Sequence, residues 1–212
     1  LLSAVMHDLK TPLAVVWGYV QMMSKTSDPA TRSDYAERIH KQFEMIRSMQ
    51  QEVLEFARGE RTLWRRKVFL ESFLQNLAQP LAAELEGSPI ELDVQILDRG
   101  VARLDESKIT RALNNLIRNA LEAMQGQPGT LGLRVGRRGE EVVFSVSDTG
   151  PGIPASIRGR LFESFVTSGK KHGTGLGLAI VKQAAEEHGG RVEVESSSQG
   201  TTFHLVLPQN LP

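Results

Sequence analysis

Cysteine is absent from this sequence of 212 residues. Its absence excludes disulfide bonds, thiolate metal sites and a cysteine nucleophile, and it fits a reducing compartment. Charge of one sign is also missing, because basic and acidic residues both number 25 and the formal net charge is zero. A nucleic-acid-binding protein usually carries a clear excess of positive charge. We therefore predict no nucleic-acid partner.

Long hydrophobic runs are missing as well. A membrane-spanning helix needs about 20 consecutive apolar residues, and no stretch of the sequence approaches that length. The first residues, Leu1 to Val5, do not have the pattern of a signal peptide. We expect a soluble, cytoplasmic chain without membrane contact. Since it begins without methionine inside a helical pattern, we also expect a fragment of a longer protein, whose membrane anchoring stays open.

Two heptad patterns occupy the amino-terminal part of the chain. In both, apolar positions alternate in steps of four and three, and Asp28-Pro29 between them indicates a turn and a helix start. Two helices joined by a short loop form a hairpin with one apolar stripe to bury, so we predict a homodimer in which two hairpins make a four-helix bundle. Gln42 on the second stripe either fixes the register or lies at its edge. The stripes are Leu2, Met6, Leu9, Leu13, Val16, Val20 and Met23, and Tyr35, Ile39, Gln42, Ile46, Met49, Val53 and Phe56.

The charged stretch 60–67 breaks the heptad pattern, so we predict a helical hairpin at 1–61 and a second domain at 62–212. In the second domain the strands cluster late and helices interleave with them. This order favours an α+β sandwich with helices on one face of the sheet over an alternating parallel fold. The patterns predict strands near 63–68, 90–97, 101–104, 130–137, 142–148, 191–196 and 201–207, and helices near 70–86, 106–124 and 176–188.

Two glycine-rich clusters stand close together in the second domain. Glycine lets backbone approach a ligand closely, and a glycine-rich turn that opens a helix presents N–H groups to an anion. This pattern is typical of phosphate binding. Asp148 follows an alternating strand pattern, so its carboxylate would lie at a strand end, free to accept a hydrogen bond from a group such as the amino group of adenine. The clusters comprise Asp148, Gly150 and Gly152, and then Gly173, Thr174, Gly175, Leu176 and Gly177.

A pair of asparagines precedes these clusters. Asn115 and Asn119 are four residues apart in a predicted helix and therefore share a face. A lone asparagine in a helix usually faces solvent. The alternative is that an amide oxygen binds Mg²⁺, a hard cation that takes oxygen ligands and commonly bridges substrate phosphates. The glycine clusters downstream favour this second interpretation.

His7 differs from the other four histidines in its surroundings. It follows stripe residue Met6, so it lies beside the stripe and outside the core. Asp8 is its neighbour, and Thr11 is four residues on and shares its face. Pro12 cannot donate a hydrogen bond to the Asp8 carbonyl, which predicts a kink one turn from His7. A single histidine on a helix is more often a structural or surface residue, but this context makes His7 a candidate phosphate acceptor.

Together these motifs resemble the catalytic core of sensor histidine kinases, in the family's order and over nearly the whole chain. The resemblance implies a helical hairpin followed by an α/β sandwich ATP-binding domain of the GHKL, or Bergerat, type. The similar segments are His7 to Leu13 for the H box, Asn115 to Glu122 for the N box, Asp148 to Gly152 for the first G box, Leu161 to Phe165 for the F box, and Gly173 to Leu178 for the second G box.

The resemblance also implies a reaction and its substrates. A neutral imidazole nitrogen of His7 would attack the γ-phosphorus of ATP, while Asp8 accepts the proton on the other ring nitrogen. By the same resemblance Asn119, the second asparagine, would bind Mg²⁺, Asp148 would contact adenine, and Asn115 would belong to the nucleotide site. The family passes the phosphoryl group to an aspartate of a response regulator. Many members also hydrolyse that product, and Thr11 matches the position that orients the water.

The segment between the glycine clusters would be a lid over the phosphates. It contains Phe162 and Phe165 of the F box, and Lys170 and Lys171, which would meet the γ-phosphate. One extra residue around Gly169, relative to the common lid pattern, leaves open which lysine does so.

Two other functions compete with the kinase. A non-enzymatic scaffold could keep the nucleotide fold, but a degenerate member would be expected to lose His7, Asn119 or the glycines. A conformational ATPase of the gyrase, Hsp90 or MutL type would lack a heptad hairpin carrying His-Asp-x-x-Thr-Pro upstream.

Overall fold

A computed structural model describes residues 2–58, 63–163 and 175–209 of the chain. In its first two helices, the side chains of residues 2–9, 11, 44–45, 48–49 and 51–58 lie outside the described part. The chain forms two compact units, one with the two long helices and one with the strands.

The helical unit is a hairpin of α1 (Leu2–Lys25) and α2 (Pro29–Arg58). The carboxylate of Asp28 accepts a hydrogen bond of 2.9 Å from the Thr31 N–H, so it caps α2 with proline in the first turn, as predicted. Hydrogen bonds from the Thr31 side chain and from its backbone N–H lower the pKa of Asp28. Pro12 lies inside α1, which continues through it, and the kink stays a prediction.

The second unit contains the remaining helices and strands, with bounds close to those predicted. Two differences stand out: β1 begins at residue 66 rather than 63, and α5 was not predicted, because four residues are too short for a periodic pattern. The strands are β1 (Arg66–Phe69), β2 (Ile90–Ile96), β3 (Val101–Leu104), β4 (Gly129–Arg138), β5 (Glu141–Asp148), β6 (Arg191–Ser197) and β7 (Gly200–Pro208), and the helices are α3 (Leu70–Glu84), α4 (Glu106–Met124), α5 (Ala155–Arg158) and α6 (Gly177–Glu187).

Five strands form the main sheet in the order β2-β4-β5-β7-β6. Only the β2–β4 pair is parallel among these, and β1 and β3 form a separate antiparallel pair. Helices α3, α4 and α6 pack on one face of the main sheet and share one hydrophobic core with it. The predicted α+β sandwich is therefore confirmed, and the alternating parallel fold is excluded.

Candidate active site

The alternation of side chains along β5 places Asp148 at the edge of the core. Successive side chains in a strand point to opposite faces, so the spacing that buries Val142, Phe144 and Val146 brings Asp148 to the same face at the strand end. Asp148 is 9% exposed, and its Oδ1 accepts a hydrogen bond of 2.8 Å from the Gly150 N–H. Burial raises the pKa of Asp148, opposed by hydrogen bonds from the Gly150 and Thr201 backbone. The Asp148 carboxylate is therefore a mostly buried hydrogen-bond acceptor with unused lone pairs.

The loop after β5 packs directly on the turn between β6 and β7. Gly152 has a φ of +77°, and a Cβ on it would lie 1.8 Å from the Ser197 carbonyl oxygen. Gly200, with a φ of +141°, would place a Cβ 2.0 Å from the Asp148 carbonyl oxygen. The Ile153 N–H also donates to Ser196 Oγ at 2.8 Å. These glycines let two backbones touch, so packing gives a reason for Gly152 besides the approach of a ligand.

We expect Gly152→Ala to lower the free energy of unfolding by more than about 1 kcal/mol, because alanine at positive φ is strained and its Cβ would meet backbone. Urea denaturation of the two proteins measures the difference. Gly159→Ala is the matched control, since Gly159 has a φ of −71° and a Cβ there would meet nothing within 4 Å. Equal midpoints for the two variants would contradict the packing role of Gly152.

Helix α4 carries both predicted asparagines and places Asn115 beside the start of α6. Asn115 is 8% exposed, its Nδ2 donates to the Arg111 carbonyl at 3.1 Å, and its Oδ1 accepts from Arg118 at 3.3 Å. A Cβ on Gly177, the first residue of α6, would lie 3.2 Å from that Oδ1. Asn119 follows one turn later and is half-buried. The amide oxygen of Asn115 therefore lies close to the beginning of α6.

The loop after β5 meets the same helix further along. A Cβ on Gly150 would lie 3.4 Å from the Cβ of Ala123, near the end of α4. Arg118 and Glu122 form an ion pair of 3.9 Å and are both well exposed. Helix α4 is thus the element that relates the asparagines to Asp148 and Gly150, which the sequence separates widely.

Three more of the predicted site residues lie at or near the ends of the described ranges. Phe162 is half-buried against the core, Leu176 is buried, and Gly175 has a φ of +66°. The other members are Phe165, Lys170, Lys171, Gly173 and Thr174, which lie outside the described residues, and His7, Asp8 and Thr11, whose backbone belongs to α1 but whose side chains lie outside the described part.

Thr201 is a site residue that the sequence pattern does not reveal. It faces Asp148 in the β5–β7 pairing and is 6% exposed. Its hydroxyl lies 3.1 Å from Ser196 Oγ, the group that holds the loop after β5. The only signal that could have found it is the register between two strands distant in sequence, and that register follows from tertiary pairing.

Comparison with known proteins gives the family. Residues 104–211 match the model described as histidine kinase-, DNA gyrase B- and HSP90-like ATPase, and residues 1–62 match the His Kinase A (phospho-acceptor) domain. The circadian input-output histidine kinase CikA of Synechococcus elongatus is 34% identical over 98% of this chain and 29% of its own length. The acceptor-domain match argues against a conformational ATPase of the gyrase type.

Solved structures show the same arrangement of elements. Full-length ShkA in complex with AMPPNP matches with a TM-score of 0.70 and 29% identity, over 98% of this chain and 45% of that one. Histidine kinase ThkA in complex with the response regulator protein TrrA matches with a TM-score of 0.83, and at 24% identity, over 98% of this chain and 60% of that one, it shows the fold alone.

The chain corresponds to only part of its relatives. It spans 29% to 35% of the length of the first three curated proteins that it matches. Within the described part of the chain, every helix is too short or too polar to cross a membrane. The two family models together extend over most of the sequence, in the order that its motifs predict. The chain therefore belongs to the histidine kinase-, DNA gyrase B- and HSP90-like ATPase family, and it is the catalytic core of a two-component sensor histidine kinase, with an ATP-binding domain.

Proposed function

We propose that this chain transfers the γ-phosphoryl group of ATP to His7 and then to an aspartate of a response regulator. The observation that carries the proposal is the grouping of Asp148, Gly150 and Asn115 around α4, in a chain whose residues 1–62 match a phospho-acceptor domain. We propose residues 1–61 as the dimerisation and acceptor hairpin and 62–212 as the ATP-binding domain.

The chemistry of the site suits a purine nucleotide. The buried carboxylate of Asp148 keeps lone pairs for the adenine amino group, and the low polarity around it strengthens such a hydrogen bond. A Cβ on Gly150 would lie 2.8 Å from Asp148 Oδ1 and 3.4 Å from the Cβ of Ala123, so glycine lets the carboxylate and α4 come close together. The N-terminus of α6, which begins at Gly177 beside Asn115, points free N–H groups toward an anion.

The amide oxygen of Asn119 fits Mg²⁺, which prefers oxygen ligands, keeps several waters and binds substrate phosphates. Among the described residues, no three His, Asp or Glu side chains form a metal cluster, so the phosphates of ATP would complete the coordination. In this proposal Asn119 is the protein ligand. The ion would neutralise charge on the transferring phosphoryl group.

The acceptor side of the reaction uses the hairpin. His7 is the nucleophile, Asp8 holds the proton of its other ring nitrogen, and Lys170 or Lys171 meets the γ-phosphate. We also propose phosphatase activity toward the regulator, with Thr11 orienting the water. Our proposal of a homodimer is supported by stripe residues Leu13 and Val20, which are 51% and 45% exposed in the single hairpin and would be covered by a second copy.

Phosphotransfer profiling tests the proposal. The chain is incubated with Mg·ATP labelled at the γ-phosphorus and then mixed with purified receiver domains from the same genome. We expect acid-labile, base-stable label on the chain that moves within seconds to one or a few receivers. Steady ATP hydrolysis without any phosphoprotein would contradict the proposal and favour a conformational ATPase.

A further inference from the structure

His188 is a buried histidine that the proposed chemistry does not use. It follows α6 directly and is 2% exposed. Its Nδ1 lies 2.7 Å from the Ala184 carbonyl oxygen, and its Nε2 lies 3.0 Å from the Asp105 backbone nitrogen. A carbonyl can only accept and a backbone N–H can only donate, so the ring must be neutral with its proton on Nδ1. The two contacts fix one tautomer.

These contacts join α4 and α6 at one end of the helix pair, and the proposed nucleotide site lies at the other end. The start of α6 at Gly177 lies beside Asn115 in the middle of α4, whereas the end of α6 lies beside Asp105 at the start of α4. The helices therefore run in opposite directions over the 11 residues of α6, about 16 Å at 1.5 Å per residue. Because a close-packed interior transmits strain, a change at the His188 end should alter the spacing of the two helices at Asn115.

Asp105 extends this connection to a third segment. Its Oδ1 accepts from the Lys108 N–H at 3.1 Å and caps α4, and its Oδ2 accepts from the Trp64 N–H at 3.1 Å. Trp64 precedes β1 in the segment that enters this unit. A half-buried ion pair between Lys108 and Glu187 joins the same helix ends. Contacts with this one capping residue therefore join α6, α4 and the entering segment.

We propose that His188 is a positioning residue for nucleotide binding. Its Nε2 accepts a hydrogen bond from the Asp105 N–H, and this bond holds the spacing of α4 and α6 at Asn115. The inference rests on the proposed function of this site. The essential bond is the one from Asp105, because the Ala184 carbonyl also accepts the His188 backbone N–H at 3.3 Å. Loss of the Nε2 acceptor would leave the Asp105 N–H unsatisfied in a buried position, whereas loss of the Nδ1 donor would not orphan the carbonyl.

The charges around His188 give the contact a pH dependence. Burial lowers the pKa of His188, and nearby Arg65 lowers it further. The hydrogen bond to the Ala184 carbonyl opposes this shift, as do the carboxylates of Asp105 and of Glu187, which is paired with Lys108. The neutral ring therefore persists to a pH below the usual histidine range. Protonation at lower pH would turn Nε2 into a donor facing the Asp105 N–H, so nucleotide affinity should fall as the pH falls through the lowered pKa of His188.

Two substitutions separate the contacts. In His188→Gln the side-chain oxygen can occupy the place of Nε2 and accept from Asp105, whereas in His188→Asn the amide nitrogen occupies the place of Nδ1 and the acceptor is lost. Calorimetric titration of the whole chain with Mg·AMPPNP at about pH 8, where the imidazole is neutral, gives the affinities. We expect binding within about twofold of the wild type for the glutamine variant and about 3- to 10-fold weaker for the asparagine variant.

Kinetics distinguish positioning from folding. We expect the asparagine variant to raise the KM for ATP while kcat at saturating ATP stays within about twofold. We expect the wild type to lose more affinity than the glutamine variant when the pH is lowered from about 8 to below the usual histidine range. Equal affinities and equal pH profiles for all three proteins overturn the positioning role. If the asparagine variant does not fold, the pH comparison of the other two decides. Absence of AMPPNP binding by the wild type would instead overturn the proposed function itself.

Discussion

Substitution of His7 by glutamine will lower acid-labile phosphorylation of the chain by at least about 1,000-fold, because an amide nitrogen is not a nucleophile and no second group replaces it. Glutamine keeps the polarity and approximate size of the imidazole, so the helix should persist. Incorporation of label from γ-labelled Mg·ATP measures the effect, and titration with Mg·AMPPNP should give wild-type affinity. The change thus separates phosphoryl transfer from nucleotide binding.

The control is His40→Gln, because His40 is an exposed histidine on the second helix of the same hairpin. It should retain wild-type labelling. If His7→Gln kept its label, or if His40→Gln lost it, the assignment of the acceptor would be wrong. Loss of label in both variants together with weakened AMPPNP binding would point to damage to the fold instead.

Local periodicity made much of this fold predictable. Strand β5 alternates Val142, Phe144 and Val146 on the core side, so the position of Asp148 at its end followed from the sequence. The Asp28-Pro29 pair predicted where α2 begins, since capping depends only on neighbouring residues. The motif resemblance supplied the proposed roles of residues that lie far apart in the sequence, such as Asn115 and Gly150.

Features that depend on distant pairing were not predictable in the same way. The contact of Thr201 with the Asp148 loop and the bond from Asp105 to His188 exist only after strands and helices distant in sequence have packed. Nothing local in the stretch after α6 distinguishes His188 from a surface histidine. The packing role of Gly152 was also hidden, because its reason lies in the Ser197 carbonyl of another turn.

Substitution of Asp148 by asparagine should weaken nucleotide binding by about 100-fold or more without destabilising the protein. The amide oxygen can still accept the Gly150 N–H, but an NH₂ group replaces the second acceptor and faces the adenine amino group donor to donor. Titration with Mg·AMPPNP measures the loss. Removal of the charge should leave the melting temperature unchanged or higher, since burial already disfavours the ionised carboxylate.

Asp98 provides the control, because its carboxylate changes the stability of the protein with pH in the opposite direction to that of Asp148. Because the pKa of Asp148 is raised in the folded protein, its ionised form costs stability at neutral pH, and that cost disappears as the pH falls through the raised pKa. Asp98, at the opposite end of the sheet, is the reverse case: Arg137 at 2.6 Å lowers its pKa, so its contribution is present at neutral pH and is lost on acidification. Asp98→Asn should therefore lower the melting temperature and keep AMPPNP affinity. If Asp148→Asn instead lost stability as Asp98→Asn does, its carboxylate would hold the fold together rather than bind the nucleotide.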